Sequence, residues 1–131
     1  SNIGDKIKKF PDKYKFIINS VDEDTRIVWK VTFMNNITIN IVFTSGYPMD
    51  PPVIAVHKPK IIVKDNKNIF SNGVIVMDKL LPKVWNPKTL MVNVLAELGD
   101  IMGKLQYEDK GGQYDFNTIF VEYNELVKKL T

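Results

Sequence analysis

At 131 residues, with 44% hydrophobic and 25% charged residues and a net charge of +3, the chain has the size and composition of one soluble globular domain, read here as residues 1–131. No apolar run approaches the roughly 20 residues that a helix needs to cross a bilayer, so no membrane insertion is expected. There is no cysteine and a single histidine, which excludes disulfides, thiol catalysis, cysteine-bound zinc and paired-imidazole metal sites, and leaves no expected metal or cofactor.

In chain order, the start at Ser1-Asn2 rather than Met reads as a cloning remnant or an excised domain. "IGDKIKKF" then places Ile3, Ile7 and Phe10 at helical spacing, and Pro11 ends the run. "YKFIINSV", Tyr14 to Val21, reads as a strand, and "DEDT" turns the chain. "RIVWKVTF" puts Ile27, Trp29, Val31 and Phe33 on one face, with Val28, Lys30 and Thr32 on the other. After "MNN", "ITINIVF" alternates Ile37, Ile39, Ile41 and Phe43, so the two runs form a hairpin. "VIAVH" adds a further strand, which makes the first half an antiparallel meander with one buried face.

The second half changes period. Asn86 is placed to cap a helix that begins at Pro87 and carries Leu90, Met91, Val94, Leu95, Leu98 and Met102 on one stripe, with Gly103 as its stop. "EDKGGQ" reads as loop. Asp115 opens a second amphipathic helix with Phe116, Ile119, Phe120, Tyr123, Val127 and Leu130 along one side. Strands and helices are segregated along the chain, which argues for an α+β fold.

Four motifs follow one another: "YPMDPP" from Tyr47 to Pro52, Asn68 in "KNIFSNG", "NGVIVMD" from Asn72 to Asp78, and "WNPKTLMVNVLAEL" from Trp85 to Leu98. Together they resemble the ubiquitin-conjugating enzymes, whose core reads Tyr-Pro-x-x-Pro-Pro, His-Pro-Asn, Asn-Gly-x-Ile-Cys-x-Asp and Trp-Ser/Asn-Pro before a helix. The resemblance covers Ile37 to about Met102. It implies the fold of that family, with an N-terminal helix, a four-stranded antiparallel meander, an irregular segment for the active site and C-terminal helices.

In the family the catalytic cysteine falls eight residues after the asparagine, which is Val76 here. A conjugating enzyme carries ubiquitin as a thioester, and a hydrocarbon side chain can neither form nor release one. The resemblance therefore implies a catalytically inactive variant, a pseudoenzyme with no catalytic residue: Val76 marks the vestigial position, with Asn68 and Asp78 retained beside it. Asn68 stands where the family stabilises an oxyanion or holds a loop; Asp78 stands where it tunes the site for lysine, or merely ends a turn. The family's His-Pro before the asparagine is Asn66-Lys67 here. His57 reads as a packed or edge histidine rather than a base, and Trp85 as a packing residue rather than a recognition platform.

Loops equivalent to the family's ligase platform would carry Met49, Pro51, Pro87 and Lys88 as partner-binding candidates. The implied partners are ubiquitin, an active conjugating enzyme or a ubiquitin ligase. No nucleic-acid partner is expected, because "DKIKK" and "VKKL" read as solvated helix faces. The lack of disulfides leans towards a cytoplasmic or nuclear setting. Two alternatives remain open at this point: an interaction scaffold of the RWD type unrelated to ubiquitin, and an active enzyme whose cysteine was replaced at Val76.

Overall fold

A computed structural model describes residues 16–23 and 26–130, with side chains from Arg26 onward. The expected N-terminal helix lies outside the described residues. The strands are β1 (Phe16–Glu23), β2 (Arg26–Phe33), β3 (Thr38–Phe43), β4 (Val53–Lys58), β5 (Lys60–Val63), β6 (Val74–Ile75) and β7 (Tyr107–Gly111). The helices are α1 (Met91–Lys104) and α2 (Ile119–Leu130). The meander β1-β2-β3-β4 is antiparallel throughout, and the two-residue β6 extends it to five strands. Element order and segregation are those of an α+β fold compatible with the ubiquitin-conjugating-enzyme-like class.

The β2–β3 hairpin closes as its asparagines dictate. Asn36 adopts φ 67°, a left-handed conformation that asparagine tolerates. The Asn35 side chain accepts from Ile37 N at 3.2 Å and donates to the Met102 carbonyl at 3.3 Å, so the turn adds a second donor to a carbonyl that Leu105 N already meets at 3.5 Å at the end of α1.

Register then aligns apolar residues into rows across the sheet. Trp29, Ile41, Ile54 and Ile75 lie side by side on four strands, with Val31, Ile39 and Val56 in the next row. Helix α1 covers this face with Met91, Val94, Leu95, Leu98 and Met102, all buried. The predicted stripe is thus correct from Met91 onward, but Leu90 is 62% exposed and precedes the helix. Asn86 caps a turn rather than the helix: its Oδ1 accepts from Lys88 N and its carbonyl from Thr89 N, each at 2.9 Å. Gly103 lies inside the last turn instead of beyond it.

The expectation of one buried face is wrong. Val28, Val42 and Val53 form a row on the opposite face, next to Asn40, Ala55 and Val74. These residues are buried beneath Ile119 and Tyr123 of α2. Lys30 and Thr32 made this face look polar within one strand, yet the neighbouring strands fill it with valines. The buried polar residue Asn40 accepts a hydrogen bond from Lys30 Nζ at 3.2 Å. Asp115 does initiate the second helical segment: its carboxylate accepts from Asn117 N at 2.9 Å and starts a 3-10 turn, Phe116–Thr118, that runs into α2. The "EDKGGQ" segment is not only loop, since Tyr107–Gly111 pairs with β5 in a second, two-stranded sheet. Its strand is exposed and polar, so no alternation announces it.

Because α2 forms one wall of the second core, Ile119→Ala is expected to cost about 2–4 kcal/mol in urea unfolding. Leu90→Ala, on an exposed side chain, should stay within about 0.5 kcal/mol. Equal effects would refute the two-sided core.

Candidate functional site

The segment between β5 and α1 folds back on itself through Asn68. Its amide donates to the Val76 carbonyl at 2.8 Å, and its own carbonyl accepts from Val76 N at 2.8 Å. Asn66, in the place of the family histidine, accepts from Asn68 N at 2.8 Å and fixes the turn before it. An isolated bridge between Ile69 and Ile75 continues the pairing. Further along, Asn72 Oδ1 accepts from Val74 N at 3.1 Å, and Gly73 turns the chain at φ 89°. The sequence-predicted residues Asn68 and Val76 are thus brought into direct contact.

Val76 itself is 5% exposed and belongs to the core under α2, with Ile119 and Tyr123. Asp78 points to solvent at the start of a 3-10 turn, Asp78–Leu80. The following lysine, Lys79, reaches Glu97 of α1 at 2.8 Å. His57 is half-buried at the end of β4, and its carbonyl accepts from Tyr114 N at 2.8 Å.

Tyr114, which sequence reasoning missed, ties this region to the beginning of the second helix. Its hydroxyl accepts from Ile61 N at 3.2 Å and lies 3.2 Å from the Ile61 carbonyl and 3.3 Å from that of Ser71. Its ring lies against Gly73 so closely that an added Cβ would stand 3.0 Å from two ring carbons. No local pattern marks Tyr114, because its partners come from three separate parts of the chain.

The Tyr-Pro and Trp motifs meet. Trp85 is buried and donates from Nε1 to the Pro48 carbonyl at 2.8 Å. Rings continue inward from Trp85 to Tyr47 at 6.3 Å, Phe43 at 4.8 Å and Trp29 at 4.7 Å, each distance taken from the preceding ring. This ladder anchors both loops of the candidate platform to the sheet. Met49 is 72% exposed on the first loop, and Pro87 and Lys88 are exposed on the second. Pro51 is corrected: it is buried, and it lines a cleft against α2 instead of joining the platform, because the chain there is already entering β4. Val84 and Leu90, 58% and 62% exposed, supply apolar surface on the second loop that the motif comparison had not included.

Among the described residues, no group of histidine, cysteine or acidic side chains is arranged to hold a metal ion, and no helix is long and apolar enough to cross a membrane. Burial raises the Tyr47 and Tyr123 hydroxyls above the ordinary value of 10.0, and the Asp50 carboxylate adds to the rise at Tyr123.

No protein-family model matches the chain. It is similar to the ubiquitin-conjugating enzyme Q-like protein 1 of Mus musculus and to that of Homo sapiens. Each is 26% identical over 92 residues, which cover 68% of this chain and 55% of the relative. The chain therefore spans about half the length of the curated relatives it matches. This distant similarity supports a ubiquitin-conjugating-enzyme-like relationship, in agreement with the architecture.

Removing the Asn68 amide in Asn68→Ala leaves the Val76 carbonyl without its donor and should cost about 1–2 kcal/mol of unfolding free energy. Trp85→Phe should lose about 1 kcal/mol through the Pro48 hydrogen bond. Asp78→Asn is expected to leave the urea midpoint unchanged; a cost equal to that of Asn68→Ala would contradict the exposed placement.

The two tyrosines make stability depend on alkaline pH. Each phenol ionises less readily when folded, so its contribution is fully present below about pH 10 and is lost as pH rises through the higher folded values. Thermal unfolding followed from about pH 9 to 11 should show a falling midpoint, with a smaller fall in Tyr123→Phe.

Proposed function

We propose that this chain is a non-catalytic, ubiquitin-conjugating-enzyme-like domain that acts by binding proteins of the ubiquitin pathway. The observation that carries the reading is Val76. It stands where the motifs put the acyl-carrying cysteine, held by Asn68 on both backbone groups and buried beneath α2. Valine offers no lone pair for a thioester, and no neighbour can supply one. Burial adds a second obstacle, since a thiol introduced there would lie among apolar groups that disfavour the thiolate. Asn68 spends its amide on the Val76 carbonyl, which supports a loop-holding role rather than oxyanion stabilisation.

What remains exposed suits contact instead of chemistry. Met49, Val84, Pro87 and Leu90 present apolar surface from two loops that Trp85 holds together. Methionine adapts its shape to different partners, and a surface of this kind gives modest affinity. Ubiquitin, an active conjugating enzyme and a ubiquitin ligase are the partners that this reading names. The similarity to relatives called ubiquitin-conjugating enzymes favours it over a scaffold unrelated to ubiquitin.

Incubation with an activating enzyme, ATP and ubiquitin should give no reductant-sensitive adduct with the native chain or with Val76→Cys. Adduct on the native chain would overturn the inactive assignment; adduct on the variant would overturn the argument from burial. In methyl spectra, ubiquitin or at least one of a panel of active conjugating enzymes should shift Met49, Val84 and Leu90. Silence with all of them would leave the ubiquitin-independent scaffold in possession.

A further inference from the structure

Beside the covered face of the sheet, a cleft of about 380 Å³ opens between α2 and the loop that leads into β4. Pro51, Val53, Pro82 and Phe120 line its apolar walls. Arg26, Asp50, Tyr123 and Asn124 bring polar ends into the same space. Apolar walls with a few convergent polar groups, at this volume, are the usual make-up of a ligand site.

One of the polar groups is oriented by a contact, and among the described residues none of the four is engaged in a side-chain hydrogen bond or ion pair. The Arg26 guanidinium lies over the Phe120 ring at 4.2 Å from its centroid, which orients the charge and leaves its N–H donors available. Among the described residues, neither Arg26 nor Asp50 takes part in an ion pair. Tyr123 is 8% exposed, and neither its hydroxyl nor the Asn124 amide bonds to another described residue. The negative charge of Asp50 is felt at Tyr123, so acid and phenol border the same space.

From this arrangement we infer that the cleft binds a short peptide segment of a partner chain that carries one carboxylate and one ammonium group. The carboxylate meets Arg26 and the ammonium group meets Asp50. Tyr123 and Asn124 are suited to the peptide backbone between them, since a hydroxyl and an amide each both donate and accept. The prolines, Val53 and Phe120 take the apolar part of the segment between the two charges. This cleft adjoins the loop that carries Met49, but its occupancy does not depend on any contact with ubiquitin.

The test uses the whole chain, labelled for amide and methyl spectra, and four acetylated, amidated hexapeptides with a Pro-Ala centre. They carry Glu and Lys, Glu alone, Lys alone, or neither charge. The doubly charged peptide should give saturable shifts at Val53, Phe120, Tyr123 and Asn124, and each charge removed should weaken binding about fivefold. Arg26→Gln should abolish the advantage of Glu, and Asp50→Asn that of Lys. Asn124→Ala, on an exposed position that the fold does not use, should weaken all the charged peptides alike. No saturable shift at these residues, equal shifts with the uncharged peptide, or indifference to the variants would each overturn the proposal. Saturation of the cleft by free glutamate and lysine at the same concentrations would overturn it too.

Discussion

The structure depends on the antiparallel register of β2, β3 and β4. Because neighbouring strands are aligned residue for residue, Trp29, Ile41 and Ile54 fall in one row, and Val28, Val42 and Val53 fall in another on the reverse side. Each row is apolar only as a whole. A sheet of this kind must be covered twice, and among the described residues one amphipathic helix lies on each side. Central strand β3 shows the consequence most plainly: five of its six residues, Thr38 to Val42, are buried. Any slip by one residue would exchange the two sets of side chains and mismatch both helices.

That two-sided core also decides how the segment around Val76 is built. Val74 and Val76 project to the side under α2, whereas Ile75 projects to the side under α1. The segment that the motifs single out is therefore a strand edge, pinned by Asn68 and walled by Tyr114. Its asparagines are engaged in holding backbone, and its valines and Ile75 in filling core. Val76 packs where the motif comparison places a thiol, while the aromatic ladder from Trp29 to Trp85 ties the surrounding loops to the sheet.

One departure from the motif pattern finds a structural purpose. Asn66, where a histidine would stand, supplies the acceptor that shapes the turn before Asn68. The short hairpin at Met34–Asn36 is tight because Asn36 accepts a left-handed conformation, and its Asn35 reaches across to the end of α1.

The alternation of β2 and β3, the stripe of α1 from Met91, and the start of the second helical segment at Asp115 were legible in the sequence, because each follows from spacing within one short segment. So was the absence of any thiol, since chemistry is fixed by residue identity alone. The second core, the strand at Tyr107–Gly111, the burial of Pro51 and the role of Tyr114 were not, because each arises from residues far apart in the chain. A valine beside a lysine carries no sign of which strand will lie next to it, and a polar segment becomes a strand only when another edge offers its hydrogen bonds. The sequence by itself determined which groups are available to react or to cover a face; the tertiary structure alone decided which of them meet, since register and helix placement are properties of the assembled sheet.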